Sequence, residues 1–151
     1  MKVHVHQIPP EGKRFEGIDP NTILDLSESD IVPVSPVSYA LDIGLSEGGL
    51  FATGQLGVDM ECTCVGCLER FKLPVTVDDF AIQIELSGKE EIDLTEPIRE
   101  DIILALPAHP RCDWNGERTC PGVHRQAPPP VTEAEDSSRD VWSALNQLKI
   151  K

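Results

Sequence analysis

Over most of the stretch from Tyr39 to Leu86, apolar residues fall at every second position, the repeat of a strand with one face on a core. Tyr39, Leu41, Ile43 and Leu45 form the first run, and Ser46-Glu47-Gly48-Gly49 supplies the turn chemistry of a hairpin. The return arm carries Leu50, Ala52, Leu56, Val58 and Met60, with Gly54 in register. Phe71, Leu73, Val75 and Val77 then restart the alternation, and Phe80, Ile82, Ile84 and Leu86 continue it past Asp78-Asp79. The pattern predicts an antiparallel meander with one buried face. Upstream, Val3 and Val5 alternate with His4 and His6, which reads as an opening strand over Met1 to Ile8. The segment from Pro9 to Pro36 is interrupted by Pro10, Gly12, Gly17, Pro20 and Pro33, so loop is expected there, with short extended pieces around Ile23-Leu24 and Ile31-Val32.

Helical spacing appears twice. Thr95 is placed to cap a helix whose first turn holds Glu96 and Pro97, and Ile98, Ile102, Ala105 and Leu106 follow on one face before Pro107 ends it. A second helix is expected from about Asp140 to Leu148, with Val141, Leu145 and Leu148 on one stripe and Trp142 beside them. Between Gln126 and Ser138 there is neither periodicity nor apolar content, the composition of a linker. The expected organisation is one β-rich domain over residues 1–125, a linker over 126–138, and a helix over 139–151 that packs back on the domain.

Composition narrows the function classes. The 151 residues are 40% hydrophobic but only 5% aromatic, which suits one domain with a modest aliphatic core. The longest apolar run, Ile102 to Pro107, is far too short for a membrane helix. The opening residues lack the apolar stretch of a secretory signal, so a cytosolic location is expected. A net charge of −13 disfavours direct binding to a phosphate backbone, which needs Lys and Arg to displace counterions. A basic protein is the expected partner, and Arg70, Lys72, Arg111 and Arg118 are the residues that would carry any secondary RNA contact.

The candidate chemistry lies in five cysteines. Cys64-Val65-Gly66-Cys67 lets two thiolates from one tight turn face a single ion, and Cys112 and Cys120 follow after the first helix. Pairs of thiolates from two segments make the closed tetrahedral shell of a structural zinc site, the leading reading. Buried unligated thiols are the plain alternative. A redox dithiol at Cys64 and Cys67 is a third, although strands rather than a helix are expected to flank that turn. His124, after Cys120-Pro121-Gly122-Val123, is an alternative ligand, and His109 is one if Cys112 does not take part. Cys62 shares a strand face with Cys64 and is read as an inward-facing core residue. His4 and His6 share a strand face but lack partners nearby in sequence, so they are read as surface residues. Asp93, Glu96, Glu100 and Asp101 surround the first turns of the helix and are read as caps and dipole complements rather than acid–base groups. Nucleophile-elbow, phosphate-loop and dinucleotide motifs are absent, so no catalytic residue is assigned and a non-enzymatic role is expected.

The order of these parts resembles the YceD-like proteins, the large ribosomal RNA subunit accumulation proteins of bacteria and plastids. The resemblance spans about Tyr39 to Lys149. It rests on a β-rich first half, a C-x-x-C-L-x-x-F motif at Cys64 to Phe71, and an acidic segment at Glu90 to Leu94 leading to a helix that ends at Leu106-Pro107. A cysteine after a proline pair follows at Cys112, then Cys120-Pro121-Gly122-Val123-His124 in place of C-x-G-L-C, and a closing A-L-x-x-L at Ala144 to Leu148. Gly66 stands where the family usually has arginine, and His124 replaces the last cysteine of its element, which leaves four cysteines or three cysteines and a histidine as ligand sets. The resemblance implies a role in the accumulation of large-subunit ribosomal RNA without an assigned reaction; the expected mode is binding of assembly partners, and a zinc-stabilised adaptor unrelated to ribosomes is the alternative beside the redox dithiol. The expectation is an α+β protein: an antiparallel sheet or partly open barrel, two helices, and a zinc-type knuckle of Cys64, Cys67, Cys112 and Cys120. Its expected partner is a basic large-subunit ribosomal protein or assembly factor, with ribosomal RNA contacted indirectly and no membrane or small-molecule substrate.

Overall fold

The computed structural model describes residues 1–26, 30–46 and 48–122. Along the chain come β1 (Lys2–His4), β2 (Lys13–Asp19), β3 (Ile31–Pro33), β4 (Val37–Ser46), β5 (Gly49–Thr63), β6 (Arg70–Glu85), β7 (Glu91–Asp93) and α1 (Thr95–Leu104). Short 3-10 turns occupy Val5–Gln7 and Asn21–Leu24. The principal sheet is antiparallel and is built around β5, which pairs with β6 along its whole length on one side. Its other side pairs with β4 over Gly49 to Gly57 and with β3 over Met60 to Cys62, and β2 extends the sheet beyond β4. β2 and β6 do not pair, so the sheet is open and is not a closed barrel. β1 and β7 form a separate two-stranded ribbon.

The alternation sets which face is buried. Leu41 and Ile43 of β4, Leu50, Ala52, Leu56, Val58 and Met60 of β5, and Leu73, Val75 and Phe80 of β6 all point into one core. Ile98 and Ile102 of α1, Leu24 of the second 3-10 turn, and Val3, Ile92 and Leu94 of the ribbon close it from the other side. β6 meets a difficulty in its own sequence: inward residues are odd-numbered up to Val77 and even-numbered from Phe80. A bulge resolves it, since Gly54 faces Phe80 while Leu56 faces Val77, so β6 spends one residue more than β5 at Asp78-Asp79. Gly54 sits at that step with φ of 153°, and a Cβ there would stand 2.1 Å from the Ala40 carbonyl oxygen.

Four expectations change. The opening strand stops at His4, and Val5–Gln7 coils into a 3-10 turn, so His4 and His6 do not share a strand. The segment expected as loop contains β2, paired with β4 over seven residues, and Ile23-Leu24 is a 3-10 turn rather than extended chain. The proline and glycine breaks hid β2 because Lys13 to Asp19 is an edge strand with no fully buried residue, and its alternation is correspondingly weak. Thr95 is the first helical residue, not the cap. Asp93 Oδ1 accepts the Thr95 N–H at 2.9 Å, while the Thr95 hydroxyl oxygen accepts from the Met1 amine at 2.8 Å. Among the described residues there is one α-helix rather than two; the helix expected over 139–151, the linker over 126–138 and His124 lie outside them. No helix among the described residues is long and apolar enough to cross a membrane.

Candidate metal centre

The β5–β6 hairpin ends in the first cysteine turn. β5 finishes at Thr63 and β6 begins at Arg70, and the six residues between them reverse the chain. The Cys64 N–H donates to Glu69 O at 2.9 Å and the Leu68 N–H to Cys64 O at 2.9 Å. Leu68 completes the reversal with φ of 62°. After α1 the chain returns to this turn. The Val65 N–H donates to Pro110 O at 3.0 Å, which docks the second segment and places Cys112 beside Cys64. Beyond Cys112 two tight turns, closed by the Trp114 N–H to Arg111 O and the Gly116 N–H to Asp113 O, carry the chain round to Cys120.

The two segments bring four sulfurs together. Cys64, Cys67, Cys112 and Cys120 have all their Sγ atoms within 4.8 Å of one another. Cys64 and Cys120 are 3.7 Å apart, and so are Cys67 and Cys112. These are free thiols, well beyond the ~2.05 Å of a disulfide bond. Sulfurs each ~2.3 Å from the centre of a tetrahedron stand ~3.8 Å apart, so the two pairs at 3.7 Å match that spacing, and the other pairs, all within 4.8 Å, leave the four sulfurs able to hold one ion. Cys64, Cys112 and Cys120 are buried and Cys67 is partly exposed, as a closed site requires.

Backbone dipoles prepare the site for negative charge. Cys64 Sγ accepts the N–H groups of Gly66 and Cys112, each at 3.4 Å. Burial pushes the Cys64 thiol up, but the backbone N–H groups of Cys112, Cys67 and Gly66 outweigh it and bring it down to about 6. Cys112 goes the other way: burial, then its contacts with the thiols of Cys120, Cys67 and Cys64, push it up to about 12. One thiol is thus ready to ionise and another resists, because four thiolates so close repel one another. A divalent cation removes that repulsion, so the donor set fits a metal ion.

Two glycines make the approach possible. A Cβ on Gly122 would stand 2.1 Å from Gly66 O, and one on Gly66 would stand 3.1 Å from the Cys120 sulfur. Each glycine lies two residues after a ligand cysteine, a Cys-x-Gly step shared by both segments. That repetition was the available signal for this contact, which the motif reading passed over.

Cys62 is apart from the cluster. It is buried in the main core beside Met60 and Leu73, and burial raises its thiol. His109 is exposed and outside the group of four. The arginines near the site are each engaged by a carboxylate: Arg70 by Glu61 at 2.8 Å, Arg111 by Asp113 through two bonds of 3.0 and 2.9 Å, and Arg118 by Glu69. Comparison with known proteins finds no matching family model, no matching curated protein and no matching solved structure.

Proposed function

We propose that Cys64, Cys67, Cys112 and Cys120 hold one structural zinc ion, and that the protein is a non-enzymatic binding factor in biogenesis of the large ribosomal subunit. The observation that supports the first part is the set of four sulfurs from two segments within 4.8 Å of one another, two pairs of them at 3.7 Å. Zinc is the ion that soft, closed, four-thiolate shells take most commonly. Its work here is mechanical: it ties the tip of the β5–β6 hairpin to the chain that follows α1. The ribosomal part is supported by the order of motifs that resembles the YceD-like proteins.

Charge supports the choice of partner. With a net charge of −13, the chain favours a basic ribosomal protein or assembly factor over bare RNA. Pairing of Arg70, Arg111 and Arg118 with carboxylates supports the same choice, because a guanidinium already engaged by a carboxylate gains less from a phosphate. The test is an affinity pulldown from cell lysate with the zinc-loaded chain, in RNase-treated and untreated arms. Large-subunit proteins should be recovered in both arms. Recovery of no large-subunit component, or recovery only in the untreated arm, contradicts direct binding to such a protein.

One observation favours a second reading. The Cys64 thiol at about 6 has the acidity of a redox nucleophile, and Cys67 follows in a C-x-x-C step. If the chain were a thiol–disulfide oxidoreductase, it would reduce insulin disulfides catalytically and Cys64→Ser would abolish that turnover. A zinc ion bound by the same sulfurs removes the free dithiol, so metal content separates the two readings.

A further inference from the structure

Leu68 is out of keeping with its surroundings. Its φ of 62° lies in a region that leucine rarely adopts and that glycine or asparagine takes readily. It is also 77% exposed. Neither backbone preference nor core packing therefore accounts for a leucine at this position, and a strained, exposed apolar residue on a rigid turn is the mark of a contact residue. Val65 on the same turn is 53% exposed, and Trp114 in the second segment is 48% exposed. All three are tied to one centre: Val65 adjoins Cys64, Leu68 adjoins Cys67, and Trp114 lies two residues beyond Cys112. Three apolar side chains are thus exposed on the two segments that meet at the cysteine cluster.

The charges on these segments describe the occupant. Residues 61–70 and 111–120 carry the carboxylates of Glu61, Glu69, Asp113 and Glu117 against the guanidiniums of Arg70, Arg111 and Arg118, a net charge of −1. Four thiolates on a divalent ion add −2. The guanidiniums are turned to carboxylates of the same segments, at Glu61, Asp113 and Glu69. Exposed apolar residues on segments of net negative charge complement a segment with an apolar anchor and basic flanks.

We propose that Val65, Leu68 and Trp114 form a docking surface for a protein segment that carries an aliphatic or aromatic anchor flanked by lysine and arginine. The proposal rests on the binding role proposed above and names the surface and the partner chemistry for it. Exposed apolar residues elsewhere, such as Ile18 on β2 and Leu104 at the end of α1, are not on the segments that carry the cysteine cluster.

The test uses the full zinc-loaded chain and two arrays of overlapping 15-residue peptides, one tiled across the basic large-subunit ribosomal proteins and one across basic proteins that are not ribosomal. Bound peptides should combine an apolar anchor with basic flanks, and replacing the anchor with serine or the flanks with glutamate should cut the signal at least tenfold. Leu68→Asn is the decisive variant, because asparagine suits the left-handed backbone and removes the apolar contact. It should keep its zinc and melt no lower than the parent, yet lose at least tenfold in binding; Trp114→Ser should lose binding similarly. The proposal is overturned if no peptide binds, if both variants bind as the parent does, or if a large-subunit RNA fragment displaces the peptides and binds more tightly. Binding confined to the non-ribosomal array would leave the surface standing and remove the ribosomal role. Parent-like binding of large-subunit peptides by both variants would do the reverse.

Discussion

At Gly122 the chain passes Gly66 with no room for a side chain, since a Cβ would meet the Gly66 carbonyl oxygen at 2.1 Å. Gly122→Ala should therefore push the second segment off the first and cost about 2 kcal/mol or more of stability. In a competition with a chromophoric chelator it should also release its metal at lower chelator concentration than the parent; unchanged release would mean that this approach does not shape the site. The thiols give a pH prediction for the metal-free protein. Cys64 lies below its ordinary value in the folded chain, so its contribution is fully present above pH about 9 and is lost as pH falls towards about 6. Cys112 has the opposite sign: its contribution is present below about 9 and is lost as pH rises towards about 12. Thermal melts of the metal-free chain in chelator should show the midpoint rising from about pH 6 to pH 8, and Cys64→Ser should flatten that limb. An equal slope in the variant would assign the effect elsewhere. The clustered cysteines themselves were legible because Cys64-x-x-Cys67 has a spacing that only a few chemistries use. The acidity of Cys64 was not, because it depends on the N–H groups of Gly66 and Cys112, which the fold alone brings to that sulfur.

Among the elements, β6 shows how much the apolar pattern specifies. Its inward residues change from odd to even across Asp78-Asp79, and the bulge falls at that change of phase. Deleting Asp78 would leave Phe71 to Val77 and Phe80 to Ile84 on the same face in a regular strand, so that variant should fold with a melting temperature close to the parent's. Deleting Thr76 would instead turn a carboxylate inward or force Phe71, Leu73 and Val75 to the outer face, at a cost on the order of 3 kcal/mol or more. Paired urea denaturation curves distinguish them, and equal losses would show that the bulge is not set by the pattern. Helix α1 offers a smaller test. Asp93, one residue before the Leu94 N-cap, accepts the Thr95 N–H of its first turn, and its carboxyl is held below the usual range first by the Thr95 hydroxyl and then by that N–H. Asp93→Ala should cost about 1 kcal/mol in the same denaturation assay. The β4–β5 hairpin, the cysteine turn and α1 were legible in the sequence because each has a strong period or clear terminal residues. β2 was not, since pairing with β4 rather than burial of its own side chains holds Lys13 to Asp19 in place.

The whole molecule is an open sheet with a four-cysteine cluster at the tip of the β5–β6 hairpin, in a strongly acidic chain. The sheet's core is separate from the cysteine cluster, because α1, the ribbon and the second 3-10 turn close it without those cysteines. Chelation should therefore loosen the tip and the segment after α1 first, which amide hydrogen exchange would read as lost protection at Cys64, Val65 and Leu68 with β4 and the middle of β5 unchanged. Binding to a basic partner should weaken steadily as salt is raised, over a screening distance of about 8 Å at physiological ionic strength. X-ray absorption at the zinc edge on the reconstituted full chain tests the proposal that one zinc ion sits among Cys64, Cys67, Cys112 and Cys120. One zinc per chain is expected, with four sulfur neighbours at ~2.3 Å, lost in Cys67→Ser. A chain that takes up no zinc after reconstitution, or a shell with a nitrogen in place of one sulfur, as His124 would give, would contradict it.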